Sequence, residues 1–229
     1  LADSYYRTKD ISNALRYYYI VIEENKSPNV NRAAQRAAEI EFANKNYQKA
    51  IRNYRVLTQM AGNKKDLVNA WTGLMESYYL TAKYDSVLVY TREIINAGSV
   101  NLGAQNKAML YNGKVALAKG DSKKAIEEFE KTVAAAKDEI GAEAKYNIAE
   151  IQFKNKQYEV AKKTCYDFID QFSNYDKWLD KNFLLLADIF IATNDTFQAK
   201  ATLNSIIENS PNPETVQAAK NRLKGLDGK

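Results

Sequence analysis

Apolar positions along the chain recur at three- and four-residue spacing in stretches separated by short polar breaks. Ile148, Ile151 and Phe153 run into the break Lys154-Asn155-Lys156, after which Tyr158, Ala161, Cys165, Phe168 and Ile169 take up the same rhythm. That period predicts amphipathic helices. Breaks such as Asn44-Lys45-Asn46, Lys119-Gly120-Asp121 and Thr193-Asn194-Asp195 predict tight helix ends, because Asn and Gly tolerate a left-handed backbone. Helix, short break and helix together predict antiparallel hairpins.

The hairpins repeat. Aligning Ile11-Ser-Asn-Ala14, Tyr47-Gln-Lys-Ala50, Tyr84-Asp-Ser-Val87, Ser122-Lys-Lys-Ala125, Tyr158-Glu-Val-Ala161 and Thr196-Phe-Gln-Ala199 places the final small residues 36, 37, 38, 36 and 38 positions apart. A second column, twelve residues earlier, holds Ala2, Ala38, Met75, Gly113, Ala149 and Ala187. Four residues after the first column lie Tyr18, Tyr54, Thr91, Phe129, Cys165 and Leu203, which are mostly bulky. Small positions facing bulky ones are what closely packed helices require. The register divides the chain into six units, approximately 1–28, 29–63, 64–99, 100–137, 138–174 and 175–211, with residues 212–229 left as a capping helix and tail. The incomplete first unit reads as the truncated end of a longer array.

Composition agrees with an ordered helical chain, at 45% hydrophobic residues with nine Gly and three Pro in 229. There is no His and only one Cys, Cys165, so His/Cys metal sites, Cys-His and Ser-His-Asp nucleophile systems and intrachain disulfides are excluded. No apolar run reaches the roughly 18 residues needed to cross a bilayer. Carboxylate pairs occur without a Gly-rich or pocket-forming context, so the expectation is no catalytic residue, no metal site and no cofactor.

The repeat columns resemble the tetratricopeptide repeat family. Unit three carries the pattern most fully, as Trp71-x-x-Leu74-Met75-x-x-Tyr78 followed by Tyr84, Val87 and Ile94, with Met75 in place of the family's small residue. The period near 37 and the closing segment Asn212–Leu226 resemble the long-period members of bacterial envelopes, of the YbgF and BamD kind. The resemblance implies an all-α, right-handed superhelical solenoid of antiparallel helix pairs with a C-terminal capping helix. It further implies a non-catalytic protein–protein interaction scaffold in envelope assembly or maintenance, periplasmic or outer-membrane-associated, with the cytoplasm as the alternative location.

In such a stack the first helix of each pair lines the concave groove. One residue past the earlier small column lie Asp3, Glu39, Glu76, Lys114, Glu150 and Asp188, and three further lie Tyr6, Phe42, Tyr79, Leu117, Phe153 and Ile191. The candidate partner-binding residues are therefore Tyr6, Glu39, Phe42, Glu76, Tyr79, Glu150, Phe153 and Asp188, an acidic row beside an aromatic one, fit for a peptide with apolar anchors and basic groups. The same columns also serve packing between repeats, with the carboxylates paired to neighbouring Lys and Arg. Some family members hold chaperone C-terminal carboxylates through a Lys and an Asn one turn apart on this face. Of the corresponding pairs here, Gln35/Glu39, Thr72/Glu76, Leu110/Lys114, Tyr146/Glu150 and Leu184/Asp188, none supplies both residues.

The net charge of +5 is uneven: residues 1–114 hold 16 Lys+Arg against 10 Asp+Glu, while residues 115–229 hold 17 against 18. Arg32/Arg36 and Arg52/Arg55 each share a helix face and form a candidate basic patch. Without a basic arm or a recognised module, nucleic acid is not expected as a partner. A glycan- or peptidoglycan-binding module using the 16 Tyr and the basic patch is the alternative to a protein or peptide partner.

Overall fold

Six hairpin turns of one design organise the chain. In the computed structural model, which describes residues 1–227, the middle residue of each turn has positive φ: Lys9 (62°), Lys45 (61°), Ala82 (55°), Gly120 (82°), Lys156 (60°) and Asn194 (60°). The next N–H reaches back five residues to a helix carbonyl, as in Asn46 to Glu41 at 2.8 Å, Asp121 to Ala116 at 2.9 Å and Asp195 to Phe190 at 2.9 Å. This closure satisfies the carbonyls that a helix end leaves unpaired. Asp10, Asp121 and Asp195 then cap the following helix by accepting the N–H of Asn13, Lys124 and Gln198. Within each unit the helices joined by these turns are so short-linked that they run antiparallel.

The chain forms two units, Leu1–Val115 and Ala116–Lys229. All regular structure among the described residues is helical. In the first unit α1 (Ala2–Arg7) pairs with α2 (Ile11–Glu24), α3 (Val30–Ala43) with α4 (Tyr47–Met60), and α5 (Lys64–Leu80) with α6 (Tyr84–Asn96), followed by α7 (Leu102–Ala118) as far as Val115. The second unit holds α8 (Ser122–Ala135), the pairs α9 (Glu139–Lys154) with α10 (Tyr158–Phe172) and α11 (Asp176–Ala192) with α12 (Thr196–Asn209), and finally α13 (Pro213–Asp227). From α1 to α6 and from α8 to α13 each helix packs on its neighbours in sequence. First helices of successive pairs also meet, α3 with α5, α9 with α11 and α11 with α13, whereas no two second helices do among the described residues. Within each unit the first helices therefore line the inner side of the stack.

The columns read from sequence are the ones that packing fills. Ala14, Ala50, Val87, Ala125, Ala161 and Ala199 are all fully buried, and so are Ala38, Met75, Ala149 and Ala187. Phe129, Cys165 and Leu203 in the bulky column are equally enclosed. Met75 occupies a small-residue position without opening the stack, because the close approach has moved to Gly73, where a Cβ would overlap the Tyr54 ring. On α13 the buried positions are Thr215 and Ala219, with Leu223 and Leu226 packed against Ala187, Leu203 and Ile206; Val216 is only half-buried.

Candidate interaction face

The first helices of the pairs carry the candidate residues, all of them half-buried. What the sequence could not give is their partners. Asp3 accepts a 2.6 Å hydrogen bond from the Tyr18 hydroxyl and pairs with Arg32 at 2.9 Å. The Tyr18 bond, with Arg32 and Arg36 nearby, holds the Asp3 carboxyl below the usual carboxylate range. Burial and the bond to Asp3 push Tyr18 up to about 12. Glu39 accepts from Gln35 at 2.8 Å and from Arg36 at 2.9 Å. Glu76 pairs with Lys107 at 2.8 Å. Glu150 takes the ammonium of Lys154 at 2.8 Å and the hydroxyl of Tyr146 at 3.2 Å. Asp188 receives two bonds from Arg222, at 2.7 and 2.9 Å. Every carboxylate of the row is thus already matched by a cation of its own unit.

The aromatic row is likewise engaged at its inner edge. Phe42 meets Tyr47 edge-on at 5.5 Å, Phe153 meets Tyr158 at 5.8 Å, and Tyr79 lies 5.9 Å from Tyr84 and 5.1 Å from Tyr111, each distance between ring centroids. Tyr6 lies beneath the Arg36 guanidinium at 5.2 Å. Two further tyrosine pairs stack on each other, Tyr5 on Tyr17 and Tyr78 on Tyr90. These rings fill space between helices rather than standing open as sugar platforms.

The four arginines divide between two helices and two sets of contacts. Arg32 and Arg36 on α3 face α1 and are neutralised by Asp3 and Glu39. On α4, Arg55 donates to the Tyr78 hydroxyl at 2.6 Å. Arg52 stays exposed; burial above all raises the Tyr19 hydroxyl above its ordinary value, and the nearby Arg52 offsets only part of that. They offer less open positive charge than counting residues implies.

Sequence reasoning offered neighbouring Lys and Arg as partners of the carboxylates and singled out Arg32 and Arg36, but it missed the column that the cross-helix cations share. Arg32 and Lys107 occupy one register position, seven residues before the acidic column, and each reaches the carboxylate of the preceding first helix. Lys181 holds that position on α11. Reading this column as the acidic one was read would have exposed the pattern. Instead of a carboxylate, Lys181 lies over the rings of Trp178, at 4.4 Å, and Tyr146, at 5.7 Å.

Two family profiles, both described as tetratricopeptide repeat, match the chain, one over residues 1–63 and 111–175 and the other over residues 182–213. The first covers more than half of the sequence. The chain belongs to the tetratricopeptide repeat family. A search of curated protein sequences finds no significant match. Among solved structures the chain is similar to a tetratricopeptide repeat protein from Parabacteroides merdae, at 12% identity and a TM-score of 0.71 over 97% of this chain and 82% of that one. It is also similar to PilW, described as a widely conserved type IV pilus biogenesis factor, at 16% identity and a TM-score of 0.69 over 94% and 93% of the two chains. YrrB, described as a tetratricopeptide repeat protein with an unusual peptide-binding site, matches at 16% identity and a TM-score of 0.53 over 89% and 97%. At such identities the likeness is one of fold. The tetratricopeptide repeat is in general a non-catalytic protein-interaction scaffold, and family membership supports that class of function here.

Proposed function

We propose that this tetratricopeptide repeat chain is a non-catalytic scaffold that receives a protein or peptide segment on the inner, first-helix face of its units, in cell-envelope assembly or maintenance. The observation that carries the reading is the recurrence on that face of a half-buried carboxylate one turn before a half-buried aromatic, as Glu39/Phe42, Glu76/Tyr79 and Glu150/Phe153. Each aromatic is fixed by a neighbouring ring and each carboxylate by a cation, so the face is pre-organised and little ordering cost attends docking. The long repeat period and the fold likeness to a pilus biogenesis factor support the envelope assignment.

Partner capture by photo-crosslinking in the producing cell, read by mass spectrometry, tests the scaffold. The captured protein should bind the Glu39/Glu76/Glu150→Gln variant more weakly, with a flatter salt dependence. Unchanged affinity moves the docking site off this face. Cell fractionation tests the location separately: recovery with the cytosol removes the envelope role and leaves the scaffold.

A further inference from the structure

On the inner face of the second unit, α11 carries two cations with no anionic partner. Lys177 and Lys181 are both exposed, one turn apart, and their ammonium groups lie 4.9 and 4.4 Å from the centroid of the largely buried Trp178 ring. Neither makes an ion pair with any described residue. The contrast with their counterparts is specific. Arg32 and Lys107, at the register position of Lys181, are each bound by a carboxylate of the preceding first helix, and Arg222 on α13 is bound in the same way by Asp188. The carboxylate that would complete the series for Lys181 is Glu150, but its two oxygens are taken by Lys154 and Tyr146. General attraction is not the cause of any anion preference here, since residues 115–229 carry 17 Lys+Arg and 18 Asp+Glu.

We propose that Lys177 and Lys181 form the subsite that fixes an acidic segment of the partner, with Asp or Glu side chains on the two ammonium groups and apolar side chains against the half-buried Tyr146 and Leu184. The inference rests on the scaffold reading above and adds the charge of the partner: at this point of the face the partner is anionic, although the row of Glu and Asp taken alone points to a basic one. An ammonium already held over an indole keeps its aliphatic stem in place and loses little freedom on binding a carboxylate. The in-chain acids are neutralised, so they repel an acidic segment less than their number implies.

The test uses the whole chain with Trp71→Phe, which leaves Trp178 as the one indole, and a fluorescein-labelled peptide of alternating Glu and Leu. The expected result is saturable binding by anisotropy that weakens with added salt, accompanied by a change in Trp178 emission. Lys177→Gln/Lys181→Gln should weaken it by roughly three- to tenfold, the size expected for losing two exposed ion pairs. Any binding of the Lys-and-Leu peptide should leave Trp178 emission unchanged and be unaffected by Lys177→Gln/Lys181→Gln. A phosphoserine peptide, or vesicles of anionic lipid, binding while the Glu peptide does not would overturn the assignment. So would equal binding of the Glu peptide by the double variant. Capture of the cellular partner separates the two readings: a partner retained in full by Lys177→Gln/Lys181→Gln removes this subsite and leaves the scaffold, whereas the absence of any captured protein removes the scaffold itself.

Discussion

Arg222 grips Asp188 with two nitrogens, at 2.7 and 2.9 Å, and so fastens the last helix of the chain to α11. The bond to Asp188 holds the guanidinium still more firmly in its charged form. Both side chains are about one-third exposed, at 33% and 30%, so the pair is neither a loose surface contact nor a fully buried one. A two-pronged, charge-assisted pair in such a place contributes about 1–2 kcal/mol. Arg222→Gln should therefore speed hydrogen exchange of the α13 amides around Ala219 while leaving α9 protected as before. Unchanged exchange on α13 would mean that Thr215, Ala219 and Leu223 hold the helix by themselves.

Gly73 is a point of close helix approach, and the obstacle there is the Tyr54 ring rather than a flexible tail. Gly73→Ala should cost about 1–3 kcal/mol by overpacking, despite the better helix propensity of Ala. In a Tyr54→Leu background the same change should cost much less. Urea denaturation of the four proteins gives this coupling, and additive effects would place the clash elsewhere.

Ala82 holds a φ of 55° in a turn where Gly120 holds the equivalent place in another repeat. A Cβ in that conformation costs about 1–2 kcal/mol, partly offset by the greater freedom that Gly brings to the unfolded chain. Ala82→Gly should thus stabilise by about 0.5–1 kcal/mol and Gly120→Ala should destabilise by a similar amount. Urea midpoints measure both.

These elements differ in how far the sequence revealed them. The small columns were legible because two helices cannot approach without them, and Ala14 through Ala199 leave no other reading. The shift of the close contact from Met75 to Gly73 was not, since it depends on where the Tyr54 ring lands. The acidic row was visible as a row, but its cations come from mixed sources. Arg32, Lys107 and Arg222 reach across helices, whereas Arg36 and Lys154 lie on the same helix as the acid they meet. A column running Arg32, Asn69, Lys107, Glu143, Lys181 has no uniform charge to notice. The Lys177–Trp178–Lys181 cluster was hidden for the same reason: an unpaired cation is recognised only once the pairs around it are known.

Cys165 supplies a native reporter of the second unit. Its thiol is fully enclosed between helices, and burial pushes it up to about 12. Alkylation by iodoacetamide near pH 8 should be slow and should accelerate with urea in step with loss of helix. The same shift sets a pH dependence. A thiol whose proton is held more tightly in the folded state contributes stability that is present below its unfolded value, near 9, and is lost as the pH rises towards about 12. Cys165→Ala should remove that alkaline loss while opening a small cavity. A wild-type stability that stays flat from pH 9 to 11, against the variant, would show that the thiol ionises without resistance.

Glu41 is 2% exposed and yet fully served: Tyr19 and Asn46 each donate to it at 2.7 Å, and Lys49 approaches to 3.7 Å. Asn53 completes the network by donating to the Tyr19 hydroxyl at 3.2 Å. A carboxylate this enclosed is tolerated only while its acceptors are filled, so the members should act as one. Tyr19→Phe removes one donor and should cost about 1 kcal/mol, and Glu41→Gln should cost about 1–3 kcal/mol by turning an acceptor into a donor that faces donors. If the network acts as a unit, the double variant should cost less than the two changes added, because the Gln amide no longer confronts the Tyr19 hydroxyl. Strict additivity in thermal and urea unfolding would show that Glu41 is held by Asn46 and Lys49 without help from Tyr19.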